Sequence, residues 1–226
     1  MMHRHFEEAE NETKVRLLYM GGLVENMIEL SIKGLTERKK ELFEGVYARE
    51  SETNRLHLEL DDRCIKLIAL HQPAGSDLRF IVACIKINSD LERIGDQAVN
   101  IAQNSAILLE HPLLEKNLLD IPRMAELARA MLKDSLDAFV NKDVNLAQSV
   151  LKRDAEEDKL KSEAFHELMQ IMQSDSSTIQ RALCLILIAR NLERIADHAT
   201  NIAEDVIFMA LGKDIRHPGL QQEYEV

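Results

Sequence analysis

The stretch "LERIGDQAVNIA" runs from Leu91 to Ala102, and "LERIADHATNIA" runs from Leu192 to Ala203. They differ only at the pairs Gly95/Ala196, Gln97/His198 and Val99/Thr200. Leu91, Ile94, Ala98 and Ile101 recur at the spacing of one helix face. Each residue of an α-helix turns about 100°, so side chains four apart stand nearly above one another. Glu92, Asp96 and Asn100 therefore form a second, polar strip, and Glu193, Asp197 and Asn201 repeat it. One amphipathic helix written twice, about a hundred residues apart, reads as an internal duplication.

Outward from these helices the match continues. A shift of 104 places Met20, Leu23, Met27, Ser31 and Leu35 on Met124, Leu127, Met131, Ser135 and Phe139. The same shift places Arg49, Glu50, Asn54 and Leu56 on Arg153, Asp154, Asp158 and Leu160. Farther on the shift is 101, and the lost residues fall between "HQPAGSDLR" and "QSDSSTIQR". Deletions are tolerated in turns and not inside packed helices, so each half turns back at that point. The apolar periodicity predicts helices over 7–36, 38–72 and 76–110, then over 121–140, 143–173 and 176–211. Gly45 interrupts the second of these at a cost of about 1 kcal/mol against Ala. Pro112 and Pro122 bracket the border "LLEKNLLDI", and Gly212 suits a helix end. The expected fold is all-α: tandem, pseudo-symmetric three-helix bundles over 1–113 and 114–213, with a frayed tail over 214–226.

Composition agrees. The 226 residues are 46% hydrophobic but only 4% aromatic, with no Trp, four Pro and eight Gly. Leu, Ile, Ala and Met cores with so little turn chemistry favour helices. A net charge of −11 argues against nucleic acid, which needs a basic stripe. No apolar run approaches the roughly 20 residues of a membrane span, and "MMHRHFEEAE" has no signal-peptide core, so a cytoplasmic protein is expected. Cys64, Cys84 and Cys184 show no CxxC spacing; Cys84 and Cys184 sit in apolar runs and read as inert packing residues.

Two carboxylates at i, i+4 repel each other by a few tenths of a kcal/mol on an isolated helix. Folding each half about its turn suggests an offset. Counting outward from Asp175 brings Asp158 and Asp154 level with Leu192 and Ala196, at the height of Glu193 and Asp197. Counting from Ala74 brings Asn54 and Glu50 level with Ile94 and Ala98, beside Glu92 and Asp96. Each half would then gather oxygen ligands from neighbouring helices, a set suited to Mg²⁺, Ca²⁺, Mn²⁺ or iron. Spacing alone leaves open an ordinary ion-pair lattice with Arg93 and Arg194. His198 lies about 100° around from Asp197 and is expected off the strip. "EAFH", Glu163 to His166, has the ExxH spacing of di-iron bundles but occurs once, and such bundles need two. The methionines, Met27 and Met131 among them, read as core filler. No phosphate loop, Ser/His/Asp arrangement or Cys nucleophile context is present in the sequence.

"HRHF" from His3, "MGGLVENMI" from Met20, "HQPAGSDLRFI" from His71 and the two "LERI(G/A)D…NIA" segments together resemble the PhoU family. The resemblance covers nearly the whole chain. It implies paired three-helix bundles and a cytoplasmic, homodimeric, non-enzymatic negative regulator of phosphate uptake and of the phosphate-starvation response. Its implied partners are the ATPase of a phosphate transporter and a sensor histidine kinase, with any membrane contact made through them. The resemblance also implies metal binding at acid-xxx-Asp motifs, which fall here on Glu92 and Asp96, Glu193 and Asp197, and Asp154 and Asp158. In the first half the partner motif is Glu50-xxx-Asn54, where an amide replaces an acid, so tighter binding is expected in the second half. Iron, Mn²⁺ or Mg²⁺ would suit these oxygen ligands. The alternative from another class is a carboxylate-bridged metal-binding bundle, a metal store or di-metal oxidase.

Overall fold

The computed structural model describes residues 2–112, 114 and 120–216. Six of the nine residues of the border "LLEKNLLDI" (113 and 115–119) and residues 217–226 of the expected tail therefore lie outside the described residues. The helices are α1 Met2–Thr36, α2 Leu42–His71, α3 Ser76–Leu109, α4 Ile121–Asn141, α5 Val144–Ser174 and α6 Ile179–Leu211. A single 3₁₀ turn, Ser176–Thr178, leads into α6, and no strand occurs among the described residues. The fold class is the expected one.

Three helix starts differ from expectation by more than one residue. α1 begins at Met2 rather than 7, α2 at Leu42 rather than 38, and α6 at Ile179 rather than 176, behind the 3₁₀ turn. The second difference has a local cause. Arg38 takes a left-handed backbone (φ 55°), and the Lys39 N–H donates back to the Gly34 carbonyl at 3.0 Å. That closure satisfies the last carbonyls of α1 and turns the chain out of the helix. The duplication preserves the device. Lys142, the counterpart of Arg38, has φ 52°, and Asp143 N–H donates to Ala138 O at 2.9 Å. A basic side chain there also complements the helix dipole. Asp143 then caps α5, accepting from Asn145 N at 2.9 Å and Leu146 N at 3.0 Å.

The hairpins turn where the shift changes. In the first half Gln72 (φ 47°) and Gly75 (φ 59°) carry the chain from α2 to α3. In the second half the Asp175 carboxylate accepts from Ser177 N at 2.9 Å and starts the 3₁₀ turn.

α1, α2 and α3 pack as one bundle, and α4, α5 and α6 as another. The bundles join through α3 against α6 and α1 against α4, so α3 and α6 form the middle of the molecule. Leu91, Ile94, Ala98 and Ile101 are buried there, as are Leu192, Ile195, Ala199 and Ile202. Met20, Met27, Met124 and Met131 are core residues, as expected. Gly34 matters for close approach: a Cβ there would collide with the Phe43 ring, so the glycine lets α2 seat that ring on α1. Between the bundles Phe80 and Phe139 stack with centroids 5.8 Å apart. Polar groups also cross this seam: Lys86 Nζ pairs with Asp205 Oδ1 at 3.0 Å, and His198 Nδ1 meets Asp90 Oδ1 at 2.9 Å.

Candidate functional site

The two polar strips have different surroundings. In the second bundle, the antiparallel α5 and α6 bring Asp154 and Asp158 to the level of Glu193 and Asp197. Lys161, one turn beyond Asp158, joins the helices directly: its ammonium donates to Asp158 Oδ1 at 2.7 Å and to Glu193 Oε1 at 2.5 Å. These two hydrogen bonds outweigh partial burial and hold the Lys161 pKa above the ordinary lysine range. Burial, then the charges of Asp158 and Glu193, raise the Asp154 pKa. Loss of hydration, then repulsion by Glu193, Asp154 and Asp158, pushes Asp197 up to about 6. Carboxylates that raise one another in this way share one electrostatic site.

A fifth acid lies beneath them. Glu157 is fully buried (0% exposed), and neither of its carboxylate oxygens has a hydrogen-bond partner. Burial first, then the charges of Glu193, Glu156, Asp154 and Asp158, pushes its pKa up to about 8. The sequence reading missed Glu157, although a signal was present. It stands in line with Val150, Leu160, Ala164 and Leu168, the apolar face of α5, and its first-half counterpart is the buried Thr53. Thr53 donates to the Met27 sulfur at 3.8 Å, a small group suited to that core position. An acid on an apolar stripe is the informative exception. Lys161 was missed as well; its first-half counterpart is His57, paired with Asp61 at 3.7 Å.

In the first bundle Asn54 and Asp96 face solvent, and Glu50, Glu92 and Asn100 are half-buried. Among the described residues none of these side chains makes a hydrogen bond or ion pair. No ammonium links α2 to α3 there. Asn201, placed on the second strip by spacing, turns to the seam instead, where its Nδ2 donates to Asp90 Oδ1 at 3.4 Å. His198 points the same way, off the strip as expected. Neither Arg93 nor Arg194 pairs with a described acid; Lys161 supplies the counter-charge.

The rival constellation does not assemble. Glu163 lies 3.7 Å from Lys159, and His166 Nδ1 contacts the Ser162 carbonyl of its own helix at 2.7 Å. The cysteines are free and buried; burial pushes Cys64 up to about 11 and Cys84 well above the ordinary thiol range.

As the side chains stand, no group of three His, Cys, Asp or Glu among the described residues is placed to hold a metal ion. The cation that lies between these acids is the Lys161 ammonium, paired with Asp158 and Glu193. The donor set nonetheless fits a hard divalent ion. It consists only of carboxylate oxygens, and Glu157 presents two buried oxygens that no protein group satisfies. A metal would be held by Glu157, Asp154, Asp158, Glu193 and Asp197, and would tie α5 to α6 by neutralising them.

The PhoU domain family matches residues 17–105 and 121–206, one match in each bundle. A phosphate-specific transport system accessory protein PhoU homolog of Pseudomonas putida is 37% identical over 97% of this chain and 86% of its own length. One from Aquifex aeolicus is 38% identical over 97% of this chain and 99% of its own. The crystal structure of PhoU from Pseudomonas aeruginosa superposes with a TM-score of 0.89 at 35% identity, covering 92% of this chain and 100% of that one. The phosphate transport system regulatory protein PhoU from Streptococcus pneumoniae gives 0.86 at 28% identity, covering 93% and 99%. Duplicated sequence, paired bundles and full-length relatives agree, and the chain belongs to the PhoU family.

Proposed function

We propose that this protein is a cytoplasmic, non-enzymatic regulator of phosphate uptake, an adaptor between a phosphate transporter ATPase and a sensor histidine kinase. It restrains the phosphate-starvation response when phosphate is plentiful, and it works as a homodimer. The observation that carries the reading is the full-length similarity to relatives whose names place them as accessory proteins of phosphate-specific transport. No helix among the described residues is long and apolar enough to cross a membrane, which suits contact with a transporter through protein surfaces. Leu58 and Ile65, seven apart on α2, are 70% and 62% exposed and give one such surface an apolar character.

An adaptor of this kind acts through differential affinity. It binds one state of the transporter more tightly than another, and that difference sets how strongly transport biases the kinase. Deletion of the gene is expected to raise phosphate-responsive transcription in phosphate-rich medium, and re-expression to restore repression. Unchanged transcription after deletion refutes the reading. Capture of tagged protein from phosphate-replete cells, followed by mass spectrometry for the ATPase and the kinase, tests the partners.

A further inference from the structure

The Lys161 ammonium sits between α5 and α6, yet it leaves the deepest acid unserved. It reaches Glu193 and Asp158. Glu157, on the same helix and four residues earlier, keeps two buried oxygens without a donor. The other nearby cation on α5, Arg153, is turned to α4, where it pairs with Asp134 at 2.6 Å. The cluster thus holds five acidic side chains and one ammonium. An ammonium carries one charge and three directed donors, whereas a divalent ion carries two charges and gathers six or more oxygens without direction.

We propose that Lys161 and a divalent cation are alternative occupants of one place between α5 and α6, with Glu157 the buried ligand that favours the metal. With Lys161 in, Asp158 and Glu193 are paired and Glu157 is stranded. With the metal in, Glu157 gains a partner, and the ammonium must leave because like charges cannot share those two carboxylates. It has a route to solvent: the Lys161 side chain is already 31% exposed and borders a cleft of about 380 Å³ with Ser162, Phe165, His166, Ile186 and Arg190. The first bundle lacks both parts, since Thr53 stands for Glu157 and His57 for Lys161. The exchange belongs to the second bundle alone. It concerns this chain's own residues and does not depend on the proposed role in phosphate uptake.

The test is Mn²⁺ titration calorimetry on the purified full chain, with helicity and melting of each variant checked in EDTA. Lys161→Met is expected to bind Mn²⁺ at least tenfold more tightly than wild type. Glu157→Thr, and the isosteric Glu157→Gln should the first misfold, are expected to bind at least tenfold more weakly. Acetylation of Lys161, read by mass spectrometry, should rise severalfold on adding Mn²⁺ as the ammonium moves to solvent. Unchanged or weaker binding by Lys161→Met, unchanged binding by the folded Glu157 variant, or no rise in acetylation would each overturn the proposal.

Discussion

Asp90 of α3 and His198 of α6 meet at 2.9 Å across the seam between the two bundles. The carboxylate also accepts from Asn201, so one acid on the first bundle serves two donors on the second. In the repeat the counterparts are Asn191 and Gln97, both buried and both neutral. The seam is therefore charged at one of its two equivalent places.

Asp90→Ala leaves two part-buried donors without their acceptor and is expected to cost about 1–2 kcal/mol in urea unfolding. Asp90→Asn, which restores the residue type found at Asn191, should lose less than half of that.

The Asp205 side chain is only 3% exposed and is paired with Lys86 at 3.0 Å and Arg216 at 3.6 Å. Lys86→Met keeps the apolar stem but removes the nearer charge. A loss of about 1–3 kcal/mol is expected, smaller than for an isolated buried pair because Arg216 remains. Thermal melting of the single variant and of Lys86→Met/Asp205→Asn checks it: the double variant should recover part of the loss.

Gly34→Ala drives a methyl group into the Phe43 ring and is expected to destabilise by about 1–3 kcal/mol. Phe43→Leu in the same chain should reduce that penalty, since the smaller side chain vacates the contact. A double-mutant cycle reads the coupling directly.

Glu157 gives the metal-free protein a pH dependence of definite sign. Its carboxyl moves from 4.5 to about 8 in the folded chain. Between those values the unfolded chain has released a proton that the folded chain keeps, so stability falls as pH rises through the window and levels off above it. Asp197, raised to about 6, acts in the same direction. In EDTA, Glu157→Thr should flatten the profile and gain on the order of a few kcal/mol at pH 8, with little gain near pH 4.5. A variant whose pH profile matches wild type would contradict this assignment.

Much of this was legible in the chain because a duplicated core writes itself twice. The apolar faces of α3 and α6 follow a period that any packed helix must obey, so their buried residues could be named from spacing. The change of shift marked the hairpins for the same reason: packed helices resist deletion and turns accept it. Helix ends were less legible. Nothing local distinguishes Arg38 as a left-handed residue, since long basic side chains ordinarily continue helices; the closure onto Gly34 decided it.

The sequence by itself determined the class, the duplication, the hairpin positions and four of the five acids of the second cluster, because periodicity and counting along a rigid helix are properties of the chain. Only the tertiary structure decided which groups answer those acids. Lys161 took the place offered to Arg194, Asn201 turned to Asp90, and Glu157 was shut away without a partner. Such choices depend on rotamers and on the rotation of one helix against another, and Coulomb energies that change steeply over a few ångströms turn small rotations into different partners.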